Sequence, residues 1–391
     1  KRYPASITKL LTALVAVENS SFEDEVVFSD DSISFLQYDD AHIGMKPGEI
    51  LSMKDALYGL LLASANEVAY AENVGEKMGG GYDTFIQKMN DRAAELGCTG
   101  SHWTNANGLH DKNHYTTAHD MALIAAAVSE HQELLDIMQT LNYTIEPTNL
   151  VKETRTFQQH HKMLWEGNSN YYKYCIGGKT GYTDDAGTTL VTMADNGQMR
   201  LAAVVLYDYG TDAYTDTRAM FDYTYSNFSK VSLMEQEKPD EIKSYVDPDA
   251  YVVLPRGIGY EDLEMDITVL DEKEGTGKVT YLYQGQNVGN TEVILTPEYI
   301  QAATGYTTRL QVNEKSAEFG HDIREGKGLP LWAGILIGTA AAVAVLLLFL
   351  VSAILHHKRK RLRIRRRRQQ MLADRRRRER RRTYERQRRQ E

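Results

Sequence analysis

Three short stretches, far apart in the chain, constrain it more than any bulk property: Ser6-Ile7-Thr8-Lys9, Ser64-Ala65-Asn66 and Lys179-Thr180-Gly181. The first follows Tyr3-Pro4-Ala5, and Pro4 suits the first turn of a helix, where its missing N–H costs nothing. Ala13, Leu14 and Val17 continue an apolar helical run. Residues three apart on a helix share a face, so Ser6 and Lys9 come within reach of each other. A serine hydroxyl is a poor nucleophile at neutral pH. An amine kept neutral by desolvation and nearby cations can take its proton. Taken alone, S-x-x-K occurs often by chance, and the pair reads as a solvated Ser and Lys on a helix start.

The other two stretches remove that ambiguity. Ser64-Ala65-Asn66 follows a leucine-rich helical run, 57–62, and Lys179-Thr180-Gly181 follows Ile176-Gly177-Gly178. S-x-x-K, an S-x-N triplet and K-T-G, in that order, form the motif set of penicillin-binding proteins and class A β-lactamases. Three further stretches narrow the reading: Asn105-Ala106-Asn107-Gly108-Leu109, His114-Tyr115-Thr116-Thr117-Ala118-His119-Asp120-Met121-Ala122, and the run from Gly178 to Leu190. With them the chain resembles the low-molecular-weight penicillin-binding proteins that act as D-alanyl-D-alanine carboxypeptidases, over about residues 1–300.

That resemblance implies an α/β (α+β) catalytic domain of the β-lactamase/transpeptidase type, without cofactor or metal. The implied substrate is the D-Ala-D-Ala end of a peptidoglycan stem pentapeptide, with β-lactams as covalent inhibitors. Ser6 would form the acyl-enzyme, Lys9 would serve as its base, and Ser64 would relay a proton to the leaving amine. Asn66 would bond the substrate backbone or hold Lys9. Lys179 and Thr180 would hold the terminal carboxylate, and Gly181 would leave room for substrate along a strand. The backbone N–H groups of Ser6 and Tyr182 would form the oxyanion hole. Two departures stand out. Tyr182 follows K-T-G where the family often has His, and the carboxylate-binding Arg expected near the last catalytic helix has only Tyr214, Asp216 and the later Arg218 to match it. The family's export signal and first strands have no counterpart before Lys1, so the chain reads as a fragment lacking its N-terminus.

The predicted organisation is a catalytic domain (1–228), a small all-β domain (229–315), a linker (316–328), a transmembrane helix (329–355) and a basic tail (356–391). In the first domain, helices are expected over 54–62, 67–77, 82–96, 117–129 and 215–228. Short strands are expected near 25–28 and 50–51, with strands at 177–182, 188–194 and 201–207 and a turn at 195–198. The polar, aromatic stretch 140–174 reads as edge strands and a loop by the site mouth. Period-two alternation at Val252, Leu254, Met265, Ile267 and Val269 marks the all-β domain, read as a plain β-sandwich.

Charge divides the chain. Residues 358–391 carry a net +15 and the remainder −24, within an overall −9. Residues 329–355 contain no charge, and at ~1.5 Å per residue they reach across a ~30 Å hydrocarbon core. The positive-inside rule then places the tail in the cytoplasm and the catalytic part outside, with membrane lipid as a partner. The tail reads as a stop-transfer signal, not a nucleic-acid site. Cys98 and Cys175 are too few for a disulfide scaffold and read as separate thiols. His160-His161 and His356-His357 read as surface residues, not ligands.

Competing readings share parts of this pattern. A class A β-lactamase needs a deacylating Glu on a loop well after the S-x-N triplet, and no clear E-x-x-x-N stretch occupies that region. A penicillin-sensing receptor, acylated without turnover, and an endopeptidase cutting cross-links use the same triplets and stay open.

Overall fold

Helix α1 (Lys9–Asn19) runs through the middle of the largest apolar cluster among the described residues, with Leu10, Leu11, Ala13, Leu14, Val15 and Ala16 all buried. Such a helix, apolar on nearly every side, is stable only when neighbours enclose it. In a computed structural model, which describes residues 1–70 and 81–304, the enclosure comes from α3 (Met53–Leu61), α4 (Tyr82–Glu95) and α5 (Ala118–Ser129). A short α2 (Asp30–Ser34) precedes α3, and α6 (Gln132–Gln139) follows α5. Caps fix several starts. Ser52 Oγ accepts the Asp55 N–H at the head of α3, and Thr117 Oγ1 accepts the Asp120 N–H at the head of α5. Gly97, at φ +86°, ends α4 in the left-handed conformation that glycine adopts without penalty.

The site is carried by an antiparallel sheet of β5 (Cys175–Thr183), β6 (Gly187–Asp195) and β7 (Arg200–Asp208), in the order β5-β6-β7. The register sets Lys179 opposite Val191 and Gly181 opposite Thr189. Strand β6 is buried on both faces. Val191 and Met193 join the core around α1, while Leu190 and Ala194 join a second cluster with Phe221 and Tyr214 of α7 (Asp212–Asn227). Two small ribbons flank this core: β1 (Glu25–Val27) with β2 (Ile50–Ser52), and β3 (Asn142–Ile145) with β4 (Arg155–Gln158).

Beyond α7 the chain changes to β structure. β8 (Phe228–Ser232) pairs with β10 (Tyr251–Pro255), and a four-stranded sheet runs β11-β12-β13-β9, from Glu264–Asp271, Thr276–Tyr283, Gln286–Leu295 and Ile242–Tyr245. Its apolar cluster (Leu233, Ile242, Val252, Leu254, Val279, Tyr281, Val293) is separate from the two that precede it in the chain. Helix α8 (Pro297–Thr304) adds Ile300 to it.

Most expected elements lie within a few residues of their predicted bounds, with three differences. Pro4 does not open an α-helix: a 3₁₀ turn (Ala5–Thr8) comes first, and α1 begins at Lys9. Of the helix expected over 67–77, the described residues show only a 3₁₀ turn, Val68–Tyr70, and the rest lies outside them. Helix α7 starts at Asp212, three residues early. The uncharged run 329–355, the basic tail and His356-His357 also lie outside the described residues. Among the described residues no helix is long and apolar enough to cross a membrane.

Candidate active site

Ser6 sits on the 3₁₀ turn, where residues three apart eclipse one another and bring its Oγ over Lys9. The preceding Ala5 has φ +51°, a conformation that costs a non-glycine residue about 1 kcal/mol or more. Neighbours hold it there. Thr8 Oγ1 donates to the Ala5 carbonyl at 2.8 Å. Thr189 Oγ1, from β6, donates to the Pro4 carbonyl at 2.8 Å. Gly108 (φ +88°) presses so closely on the Ala5–Ser6 peptide that a Cβ there would stand 2.0 Å from Ala5 O.

Lys9 has no solvent exposure, and its Nζ meets three oxygens: Asn107 O at 2.6 Å, Asn66 Oδ1 at 2.7 Å and Ser6 Oγ at 3.0 Å. Burial, with the nearby charge of Lys179, holds its pKa well below the usual lysine value. Two of the three partners are carbonyl oxygens, which only accept. A neutral amine satisfies them with its two N–H groups and leaves its lone pair for the one partner that can donate, the Ser6 hydroxyl.

Ser64, in the left-handed region at φ +61°, occupies the turn after α3 and is almost fully buried. Its Oγ accepts from Lys179 Nζ at 3.0 Å, and the same ammonium donates to Thr180 O at 2.9 Å. Lys179 is thus turned inward, and burial pulls its pKa down to about 7. Ser6, Ser64, Thr180, Gly181 and Tyr182 line one cleft of about 420 Å³, whereas Lys179 does not line it. Asn66 takes the second of its two expected parts, holding Lys9.

Gly181 has a reason that the sequence does not show. A Cβ there would lie 2.5 Å from Thr189 Oγ1, 2.8 Å from Ser6 N and 3.1 Å from Ile7 N. The missing side chain lets β5 touch the turn carrying Ser6. Tyr182 is exposed at the end of that stretch, its hydroxyl donating to Asp184 Oδ1 at 3.2 Å. Arg218 does not reach the cleft: Nη2 donates to Tyr171 O at 2.6 Å, and the guanidinium lies over the Tyr172 ring. Cys98 and Cys175 are both free thiols, and burial pushes each up to about 12.

One sequence expectation is overturned. His161 is not a surface residue but fully buried, its Nε2 2.9 Å from Thr192 Oγ1 and its ring edge-on to Tyr214. The adjacent His160 lines the cleft. β4 ends at Gln158, and burial then alternates along the following segment, with Gln159, His161 and Met163 inward and His161 set against Gly178 of β5 and Thr192 of β6.

Several site residues were not singled out from sequence. The Asn107 carbonyl holds Lys9, and Ala41, Lys162 and Thr211 line the cleft. His114 accepts the Thr104 N–H at Nδ1 (3.1 Å), which leaves Nε2 to donate to Thr8 Oγ1 (2.9 Å). Burial depresses its pKa to about 3, so the imidazole stays neutral and completes a chain ending at Ala5 O. Both His114 and Asn107 lie in stretches that the sequence marks as distinctive, but nothing in the residue types reveals that a backbone carbonyl, or a histidine behind a threonine, reaches the Ser6 turn.

Residues 1–210 match the family profile described as D-alanyl-D-alanine carboxypeptidase, peptidase S11. The chain is 33% identical over 232 residues to the D-alanyl-D-alanine carboxypeptidase DacB2 of Mycobacterium tuberculosis, covering 57% of this chain and 74% of that protein. It is 29% identical over 249 residues to DacF of Bacillus subtilis, covering 60% and 59% respectively. Among solved structures it resembles the Streptomyces K15 DD-transpeptidase (25% identity, TM-score 0.52, 57% of this chain and 88% of that one). It also resembles a D-alanyl-D-alanine carboxypeptidase from Mycobacterium tuberculosis (30% identity, TM-score 0.50, 57% and 82%). The match runs through all three triplets and more than half of the sequence, and the chain belongs to the D-alanyl-D-alanine carboxypeptidase family of serine peptidases.

Proposed function

We propose that this chain removes the terminal D-Ala from peptidoglycan stem pentapeptides through an acyl-enzyme on Ser6. The observation that carries the reading is the placement of Lys9: buried, lowered in pKa, and held by two carbonyl acceptors so that its remaining valence faces Ser6 Oγ at 3.0 Å. Neutral Lys9 takes the hydroxyl proton as Oγ attacks the carbonyl carbon of the penultimate D-Ala. The N–H groups of Ser6 and Tyr182 receive the oxyanion, an arrangement supported by the contact between β5 and the Ser6 turn at Gly181. As the C–N bond breaks, Ser64 passes a proton to the departing amine and is resupplied by Lys179, whose pKa of about 7 suits donation and recovery at neutral pH. Water then cleaves the ester and frees Ser6. β5 is an edge strand in its sheet, which supports substrate lying along it as an added strand.

β-Lactams acylate the same serine in this account. The uncharged run 329–355 and the +15 tail support a chain anchored in the cell membrane, with the catalytic part outside and the tail in the cytoplasm. The test is D-Ala release from an N-acylated Lys-D-Ala-D-Ala tripeptide, beside Ser6→Ala. Release that vanishes in Ser6→Ala supports the proposal. A long-lived penicillin adduct without release turns the reading to a receptor, and cleavage confined to cross-linked peptides turns it to an endopeptidase.

A further inference from the structure

A carboxypeptidase must recognise a terminal carboxylate, which calls for a cation at the cleft wall. Two obvious cations are committed elsewhere. Lys179 is buried against Ser64 and the Thr180 carbonyl, and Arg218 is spent on the Tyr171 carbonyl and the Tyr172 ring. The cleft nevertheless contains an ammonium. Lys162, on a short 3₁₀ turn (Lys162–Leu164), lines it together with Thr180 and Gly181.

Tyr214 prepares this lysine from two sides. The Lys162 N–H donates to the Tyr214 hydroxyl at 3.4 Å, and the ammonium stands 5.9 Å from the centre of the same ring. Tyr214 is itself buried against His161, so the platform is rigid. The next residue, Met163, is fully buried, and its carbonyl accepts the Tyr172 N–H. The ammonium makes no ion pair among the described residues. The other titratable cleft group of this segment is His160, which desolvation and the Lys179 charge hold below the usual histidine value.

We infer that Lys162, braced on Tyr214, receives the carboxylate of the residue that is split off, beside the Thr180 hydroxyl. Resting on the carboxypeptidase reading, this assigns to the 160–164 segment the specificity that the family's arginine would supply from α7. A charged group at a cleft rim, held in place before substrate arrives, loses little freedom on binding.

The test compares paired ligands that differ only in the carboxylate. N-acylated Lys-D-Ala-D-Ala is set against its C-terminal amide for D-Ala or D-alaninamide release. Benzylpenicillin is set against its methyl ester for acylation of Ser6, a readout that needs no turnover. In Lys162→Met, kcat/KM for the free acid falls about tenfold, chiefly through KM, while the amide changes less than about twofold. The acid-to-ester preference in acylation falls in parallel, and Lys162→Arg retains most of both preferences. Equal losses on acid and amide, an unchanged preference, or a preference lost instead in Arg218→Leu overturns the assignment. Acylation without D-Ala release sinks the carboxypeptidase reading, and Lys162 is then judged by the acid-to-ester ratio alone. No acylation of the unaltered protein overturns both.

Discussion

Replacing Gly181 with alanine tests the contact on which the whole site depends. The added methyl would sit 2.8 Å from Ser6 N and 3.1 Å from Ile7 N, both backbone atoms, as well as 2.5 Å from Thr189 Oγ1. The threonine can rotate, but only by surrendering its bond to the Pro4 carbonyl. The backbone atoms cannot rotate away, so β5 and the Ser6 turn must part by roughly 0.6 Å to restore ordinary contact. Overpacking of this kind costs about 1–3 kcal/mol, and a shift approaching 1 Å at the reacting atoms costs up to about 100-fold in rate. A fluorescent penicillin should therefore acylate Gly181→Ala about 10- to 100-fold more slowly, with the melting temperature lowered by several degrees. Gly167→Ala, where the added methyl meets nothing within 4 Å, is the matched control. Acylation of Gly181→Ala at the unaltered rate would refute the reasoning. Full recovery in Gly181→Ala/Thr189→Ala would show that the threonine, not the Ser6 backbone, is the obstacle.

Further outcomes follow from the titrating groups and the thiols. Lys179 has a folded pKa near 7 against an ordinary 10.5, so the unfolded chain binds more protons between those values. Stability should rise with pH from about 7 to about 10.5, and Lys179→Met should flatten that rise in melting curves. The same substitution removes a charge that lowers Lys9, so the acidic limb of the acylation profile should move to higher pH. His114, about 3 when folded against 6.5, makes the unfolded chain the better proton binder below pH 6.5. Stability should fall as pH drops from 6.5 toward 3, and less steeply in His114→Gln, although that variant starts lower because Thr8 loses its partner. Ellman's reagent should find two thiols in the denatured protein and react only slowly with the native one, since both thiols are buried enough to resist ionisation.

Sequence reading went furthest where chemistry needs a particular side chain at a particular spacing. Contacts of 2.7–3.0 Å tie Ser6 and Asn66 to Lys9, and Ser64 to Lys179, although these residues span 173 residue steps along the chain. Strands β5 to β7 were legible because β6 carries apolar residues toward both faces and a polar Asp-Asn-Gly turn ends it. What stayed hidden depends on backbone. The strained Ala5, the pressure of Gly108 on its carbonyl and the Asn107 carbonyl behind Lys9 have no residue-type signal. Of His160-His161, read as surface residues, His160 is exposed at the cleft as expected, and His161 misled because alternate burial along this segment sends it into the core. Gly181 was noticed for the room it leaves substrate, and only the fold reveals that its missing side chain also lets β5 approach Ser6.

The central claim is that Ser6, deprotonated by Lys9, carries the acyl group. It is tested most directly by quenching the protein in acid during reaction with N-acylated Lys-D-Ala-D-Ala and mapping the adduct by mass spectrometry. The account predicts a mass increase equal to the substrate less one D-Ala, confined to the peptide bearing Ser6, and absent from Ser6→Ala and Lys9→Met. D-Ala release that continues in Ser6→Ala, or an adduct on any other residue, would contradict it.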